Sequence, residues 1–350
     1  MTALPERFAA RVVAWQQRHG RHGLPWQGTK DPYRVWLSEV MLQQTQVATV
    51  IGYYGRFLQR FPDVAALAAA PLDEVLALWS GLGYYSRARH LHRCAQAVVQ
   101  QHGGAFPRDS DTLATLPGIG RSTAAAIAAF CAGERVAILD GNVKRVLGRV
   151  LAFEGDVGQP AQERALWALA QELVPAQDVG IYTQGLMDLG ATLCARRAPR
   201  CADCPVAPDC AARAQGRAED LPVRTRRLRR SQREQALLWL EQGSRLWLTR
   251  RPEQGVWAGL WSLPEWPDLV TLQRQVADWP GQPEALAAID HALTHFDWRL
   301  WPLRHRLPAR LAATTRSRIE GAVGTGGWFT PQEALALGLP APIRRLLQQA

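Results

Sequence analysis

The chain has 350 residues, 41 lysines and arginines against 31 acidic residues, and a formal charge of +10. That length allows two or more domains with cores of their own, and the ordinary apolar content excludes a disordered chain. No apolar stretch reaches the length of a membrane span, and because no basic amphipathic helix stands out the excess charge points to nucleic acid rather than anionic lipid; no membrane partner is expected. Only Lys30 and Lys144 are lysines. The first residues show no signal-peptide pattern, and four of the six cysteines crowd between Cys194 and Cys210 instead of scattering as in secreted disulfide proteins. The chain reads as cytoplasmic.

In chain order, Pro5 to Arg18 reads as a helix, followed by a glycine-rich turn ending at Leu24-Pro25-Trp26. Asp31-Pro32 opens a second helix, with Asp as cap and Pro in the first turn. Trp36, Glu39, Val40 and Gln43 share one face of it, so a carboxylate sits among bulky apolar groups. Thr45 to Arg60, Pro71 to Trp79, Ser86 to Gln101 and Ser110 to Leu116 continue the helical pattern. Leu116-Pro117-Gly118-Ile119-Gly120-Arg121-Ser122-Thr123 is a hairpin. Pro117 stops the helix before it, Gly118 and Gly120 allow a tight turn, and Ser122 or Thr123 is expected to cap the alanine-rich helix that follows. A hairpin of this kind grips a phosphate without reading a base, although Pro-Gly-x-Gly also occurs in plain helix connections.

Leu139-Asp140-Gly141-Asn142 follows as a tight, oriented turn, then helices from Ala161 to Val174 and Ile181 to Leu193. The first 210 residues are therefore expected to be all-α. A basic linker runs from Ala211 to Arg233, with five arginines from Arg224 to Arg230, and serves as a tether or as a strap over phosphates. Beyond it, Glu234 to Leu240, Arg245 to Arg250, Ala288 to Leu293 and Phe296 to Leu303 have strand character. Short helices are expected from Thr330 to Gly338 and from Ile343 to Gln349, giving an α+β second half.

Two features carry chemistry. The cysteines lie as Cys194-x6-Cys201-x2-Cys204-x5-Cys210 in one compact loop. Thiolates suit zinc or iron–sulfur clusters, and a single Cys-x2-Cys pair in so compact a loop suits a [4Fe–4S] cluster better than a zinc site. Arg196, Arg197 and Arg200 make this loop a basic finger. Glu39 and Asp140 are carboxylates in apolar stretches; each reads as a capping or surface acid, or as half of a pair that breaks an N-glycosidic bond. One acid of such a pair, with raised pKa, donates a proton; the other, ionised, stabilises positive charge on the sugar. Gln43-Gln44-Thr45-Gln46 and Gly81-Leu82-Gly83-Tyr84-Tyr85 read separately as a helix end and a turn, and together as wedges that fill the gap left by an extruded base.

The hairpin, Asp140 and the cysteine loop together resemble the helix–hairpin–helix DNA glycosylases of the endonuclease III superfamily. Within it, Trp36-Leu37-Ser38-Glu39-Val40-Met41-Leu42-Gln43-Gln44-Thr45-Gln46-Val47 and the attached C-terminal half resemble the adenine DNA glycosylases of the MutY type. The resemblance implies a multidomain protein. A helical glycosylase domain with an iron–sulfur cluster loop spans residues 1–216, a basic linker 217–233, and a Nudix-like recognition domain 234–350. It implies excision of adenine opposite 8-oxoguanine or guanine in double-stranded DNA by a monomer. In that reading Glu39 protonates the base, and Asp140, oriented with Asn142, stabilises or captures the sugar cation. Trp26 and Gln184 contact adenine; Gln44, Thr45, Leu82 and Tyr84 engage the 8-oxoguanine side. Gly118, Gly120 and Ser122 lie on phosphate, with an alkali cation at the hairpin. A [4Fe–4S] cluster is held by Cys194, Cys201, Cys204 and Cys210.

Members that also cut the strand carry a nucleophilic lysine where Ser122 stands, so a monofunctional enzyme is expected here. The Nudix-like part has Glu265 and Asp268 but no Glu-rich helix for magnesium, and should recognise rather than hydrolyse. By position, Thr294 and His295 match the family's 8-oxoguanine loop, with Leu293 and Thr294 where Phe and Ser are more frequent. The competing readings are a lyase for oxidised pyrimidines and a non-enzymatic iron–sulfur DNA-binding protein.

Overall fold

A computed structural model describes residues 4–225 and 230–349. Arg226, Arg227 and Arg229 of the arginine run lie outside the described residues. The chain divides into two packed units. One contains described residues 4–68 and 93–225; the other contains Ala69–His92 and the described residues from 230 onward.

The helices of the chain up to the cysteine loop are α1 (Leu4–His19), α2 (Pro32–Leu42), α3 (Val47–Arg60), α4 (Val64–Ala69), α5 (Leu72–Trp79), α6 (Ser86–His102), α7 (Ser110–Ala114), α8 (Arg121–Ala132), α9 (Gly141–Val150), α10 (Pro160–Glu172) and α11 (Val179–Thr192), with a short α12 (Ala211–Ala214) after it. In the first unit, α2 begins as its sequence dictates: Asp31 Oδ1 accepts from the Tyr33 amide at 2.9 Å and Pro32 occupies the first turn. Residues Ala124 to Ala129 of α8 are all buried, and all but Ile127 are alanines, whose small side chains let α2 and α11 pack closely on it. The C-terminus of α8 is set by Gly133 in the left-handed conformation. Two glycines of α11 mark backbone contacts that admit no side chain. A Cβ at Gly185 would lie 2.7 Å from Val12 Cγ1 of α1, and one at Gly190 would lie 2.5 Å from Asn142 Cβ of α9. The second contact presses α11 against the start of α9. Phe8, Ile138, Val143, Leu147, Leu166 and Leu189 centre the core of this unit.

Two departures from the sequence reading lie here. The alanine-rich α4 has too few polar residues for a helical stripe to show. The Asp140-Gly141-Asn142 segment is the start of α9 rather than a free turn: Asp140 is its N-cap, with Oδ1 accepting from the Val143 amide at 2.8 Å. Glycine at the first helical position hides a helix start from composition alone.

The second unit is built on strands β1 (Ser231–Gln242), β2 (Arg245–Arg250), β3 (Trp261–Ser262), β4 (Glu265–Trp266), β5 (Gln282–Ala285), β6 (Ile289–Ala292), β7 (Phe296–Leu307) and β8 (Gly326–Phe329). Their order is β3-β2-β1-β7-β5, with β4 on β1, β6 on β7 and β8 on β2. β1 and β7 run parallel over twelve residue pairs, Ser231 with Phe296 to Gln242 with Leu307. Ala236 to Leu240 are buried consecutively, as expected of a central strand covered on both faces. The helices α13 (Leu269–Val276), α14 (Ala313–Val323), α15 (Pro331–Leu335) and α16 (Ala341–Gln348) complete the unit. Leu272 and Val276 of α13 and Ile319 and Val323 of α14 close one core against Leu238, Leu240 and Leu303. Neither α13 nor α14 was legible in advance; α14 has no side-chain cap. The strands, the late helices and the all-helical first half match the α+β and all-α classes read from the sequence.

Among the described residues no helix is long and apolar enough to cross a membrane. The stretch before the undescribed arginines packs on the first unit instead of hanging free. Arg217 pairs with Glu154, and the Val157 amide donates to Val223 O at 3.2 Å.

Candidate active site

A cleft of about 1800 Å³ opens on the first unit, between the C-terminal half of α2, the starts of α8 and α9, and one face of α11. Each wall contributes a residue singled out from the sequence. Glu39 comes from α2, Ser122 from α8, Asp140 and Asn142 from the α9 start, Gln184 from α11, and Trp26 from the loop before α2. Trp26 is buried edge-on against Tyr54, their ring centroids 5.4 Å apart.

The two carboxylates differ in surroundings. Burial pushes Glu39 from an ordinary 4.5 up to about 7, and the Asp140 carboxylate adds to the shift. Asp140 is also raised by burial, but the Val143 and Asn142 amides, then Arg145 and Lys144, pull the other way. Its place at a helix N-terminus favours the anion, because the first amides of α9 point at it. Of the pair, Asp140 is the one supplied with partners for its charged form.

The Asn142 side chain is engaged by a cation: its Oδ1 accepts from Arg145 Nη2 at 2.9 Å. Arg145 also donates to Gly190 O at 2.6 Å and through Nε to Cys194 O at 2.7 Å. One turn on, the buried Arg149 donates to Cys194 Sγ at 3.3 Å, Ala195 O at 2.7 Å and Leu221 O at 3.0 Å. The sequence reading missed both arginines; their i+3 and i+7 spacing from Asn142 along one helix was the available signal.

The hairpin between α7 and α8 needs a left-handed residue only at Gly118, with φ 78°. Gly120 has an ordinary φ of −84° and is itself the N-cap of α8, so neither Ser122 nor Thr123 caps that helix. Both hydroxyls lie in the first turn, where they tie α8 to its neighbours. Ser122 Oγ accepts from the Leu139 amide at 3.2 Å, and Thr123 Oγ1 accepts from Gln43 Nε2 at 3.4 Å. Ser122 therefore steadies the strand-like approach to Asp140. A Cβ at Gly120 would meet nothing within 4 Å, which leaves open space for a close ligand. On the other side, Glu134 fixes α7 by accepting from the amide and hydroxyl of Ser110, each at 2.7 Å.

Gln44 and Thr45 line the cleft after α2 ends, and Gln44 is held at φ 57°, a strained conformation for a residue with a side chain. In the second unit, Tyr84 shows the same strain at φ 47° and is 44% exposed. Leu82 is only 5% exposed, so the apolar tip expected there consists of Tyr84: the turn directs Leu82 inward, with its amide on Trp79 O. The Arg87 guanidinium donates to Leu82 O and Gly83 O and lies over the Tyr84 ring. The Tyr84 and Thr294 hydroxyls are 2.9 Å apart, a juxtaposition that sequence distance conceals. Thr294 and His295 are exposed in the turn between β6 and β7.

Cys194, Cys201, Cys204 and Cys210 are free thiols, each partly buried, and all four line one small cavity beside α9. Among the described residues no three His, Cys, Asp or Glu side chains converge closely enough to hold one metal ion. In the second unit Glu265 pairs with Arg251, and Asp268 caps α13 through the Thr271 amide at 2.7 Å.

A helical unit with a glycine hairpin, two unlike carboxylates across one cleft and a Nudix-like sheet domain is the layout of a helix–hairpin–helix base-excision protein. Residues 37–172 match the HhH-GPD superfamily of base excision DNA repair proteins, and residues 235–349 match the NUDIX domain. The adenine DNA glycosylase of Buchnera aphidicola subsp. Acyrthosiphon pisum is 33% identical, over 97% of this chain and 97% of its own. The human adenine DNA glycosylase is 36% identical, over 82% of this chain and 65% of its own. Among solved structures, a thermostable thymine-DNA glycosylase is 28% identical with a TM-score of 0.54, over 61% of this chain and 97% of its own. An endonuclease III in a non-covalent DNA complex shares the fold, at 22% identity and a TM-score of 0.51, over 62% of this chain and 99% of its own. The chain belongs to the family of adenine DNA glycosylases. It is a DNA N-glycosylase of base excision repair.

Proposed function

We propose that this enzyme is a monofunctional glycosylase that removes adenine mispaired with 8-oxoguanine or guanine. The observation that carries the reading is the pair Glu39 and Asp140, lining one cleft in unlike environments. The names of its relatives supply the base. Adenine is extruded from the duplex, which costs a few kcal/mol and less at a distorted mispair. It enters the cleft between Trp26 and Gln184. Glu39, whose burial holds its proton near neutral pH, protonates adenine at N7, and the base leaves as a neutral group. Asp140, anionic at the α9 N-terminus, stabilises the positive charge on the sugar or captures it until water attacks. Asn142 fixes the first turn of α9 through Arg145.

The bond to the base is the only one broken. Ser122 offers no amine, and Lys144, the lysine nearest Asp140 in sequence, is held by Glu163 at 2.5 Å. Both points favour glycosylase over lyase chemistry. Gly118, Gly120 and Ser122 receive a backbone phosphate, and an alkali cation held at the hairpin would offset the phosphate's charge. Gln44 and Thr45 engage the 8-oxoguanine side of the opened duplex, and Tyr84 of the second unit engages it with its exposed ring. Thr294 and His295 read the oxidised purine, Thr294 sharing its hydroxyl with Tyr84.

The four cysteines fit a [4Fe–4S] cluster. Thiols that surround a cavity without converging on a point suit a group in which each of four irons takes one sulfur. When bound, the cluster would staple the loop that presents Arg196, Arg197 and Arg200 to DNA phosphates. The enzyme acts as a monomer in the cytoplasm.

The test is release of adenine from a duplex carrying adenine opposite 8-oxoguanine, and from one with guanine opposite, each developed with and without alkali. Breaks that appear only after alkali are expected. No adenine release, or strand cleavage without alkali, would refute the reading.

A further inference from the structure

Asp188 is fully buried, on the face of α11 one turn beyond Gln184. Its carboxylate collects three donors. Oδ1 accepts from Arg21 Nε at 2.7 Å and from Gln184 Nε2 at 2.9 Å, and Oδ2 accepts from the Arg21 amide at 2.9 Å. Arg21 begins the loop that carries Trp26. Gln27 folds that loop, with Nε2 donating to Arg21 O at 3.0 Å and Oε1 accepting from the Leu24 amide at 3.1 Å. One acid therefore fixes both the loop of Trp26 and the side chain of Gln184. Arg21, Trp26 and Gln184 all line the cleft.

An ionised carboxylate only accepts hydrogen bonds, so the Gln184 amide can meet it with its NH2 group alone. The carbonyl Oε1 is then the end left for the cleft. An outward carbonyl accepts from an exocyclic amine and opposes a keto oxygen. We propose that Asp188 is a positioning residue for base choice: by committing the nitrogen of Gln184, it makes the cleft prefer a 6-aminopurine. The proposal rests on the adenine excision put forward above and adds the device that reads the amine.

With Asn at 188 the partner can either donate or accept, so both orientations of the Gln184 amide become available and the carbonyl is no longer fixed outward. The probes are duplexes with adenine, or with unsubstituted purine lacking the amine, each opposite 8-oxoguanine, assayed by single-turnover release on the full chain. Losing one well-placed hydrogen bond to a buried partner corresponds to about tenfold. Asp188→Asn is expected to slow adenine release about tenfold relative to purine release. Gln184→Met, which keeps the length but removes the amide, is expected to lose the same preference without touching Asp188. Asp188→Asn in the Gln184→Met background is expected to leave the adenine-to-purine ratio unchanged.

A purely structural role for Asp188 would slow both substrates equally, and that result would overturn the proposal. If Asp188→Asn does not fold, Gln184→Met decides: full retention of the amine preference refutes it. A wild-type chain that releases no adenine would overturn the proposed function itself, whereas adenine release with unaltered ratios in the variants would overturn only this inference.

Discussion

Replacing Glu39 by Gln separates two consequences of its burial. The side chain keeps its shape and hydrogen-bonding capacity but cannot ionise or give up a proton. A rise from 4.5 to about 7 corresponds to about 3 kcal/mol of preference for the acid form in the folded protein. The folded state holds this proton more tightly than the unfolded chain. Its contribution is fully present below the unfolded value and is lost as pH rises through about 7. Because water reaches the cleft wall, about 1–3 kcal/mol is the working range. Glu39→Gln removes that dependence. Relative to wild type, its advantage should grow between pH 5 and pH 8, raising the melting temperature by about 2–4 °C per kcal/mol for a unit of this size. Over the same change, adenine excision should fall by about 10²–10⁴, the usual contribution of a general acid. Wild-type excision should decline as pH rises above 7. Thermal unfolding at the two pH values and single-turnover release on one duplex measure all three. A variant that excises within tenfold of wild type, or whose stability difference is the same at pH 5 and pH 8, would refute the assignment of Glu39 as the buried acid.

Other positions give independent checks. Asp140→Asn keeps a good N-cap for α9, so melting should shift little while adenine release falls at least a hundredfold; a variant with near-normal release would remove Asp140 from the chemistry. Tyr84→Ala removes an exposed ring, and binding to an adenine·8-oxoguanine duplex should weaken by about 1–3 kcal/mol, the value of one base–aromatic stack; Tyr84→Phe should lose less, since only the Thr294 contact goes. Removing iron with a chelator, or Cys204→Ser, should abolish visible absorbance and weaken binding to duplex DNA, read by spectroscopy and a salt titration of affinity. Glu163→Gln should release Lys144 from its ion pair and raise borohydride trapping of the abasic product from a near-zero wild-type level; Glu163→Gln/Lys144→Ala should return it to that level.

The helical first half was legible because its segments carry both apolar periodicity and punctuation: Asp31-Pro32 opens α2, and Pro117 follows the end of α7. The sheet of the second unit was legible at β1, β2, β6 and β7, whose strand-forming runs stand out from their flanks. The short strands β3, β4, β5 and β8 and the uncapped α14 gave no such signal. At the site, residue types announced Glu39, Asp140 and the cysteines, because chemistry restricts which side chains can act. What remained hidden is the supporting structure. Asp188 reads as an ordinary acid until the fold brings Arg21 to it across 167 residues, and Ser122 reads as a cap until its hydroxyl is found on the Leu139 amide. Pattern along a chain reports local preference; partners distant in sequence are fixed by packing.

That distinction bears on why the proposed enzyme would stop after removing the base. A serine at 122 could be seen merely as a missing nucleophile. In the fold its hydroxyl accepts the amide of Leu139, the residue just before Asp140, and so steadies the carboxylate's approach from α8. A lysine ammonium, with no acceptor, could not make that bond. On the proposed mechanism, a nucleophilic amine at 122 and this support for the anion are thus alternatives at a single position. The nearby lysine is engaged as well, through Glu163 of α10. The chain therefore directs the Ser122 hydroxyl and the Lys144 ammonium into scaffold contacts. On that mechanism Asp140 is the group that faces the sugar, where a carboxylate can stabilise positive charge or be displaced by water but cannot form an imine.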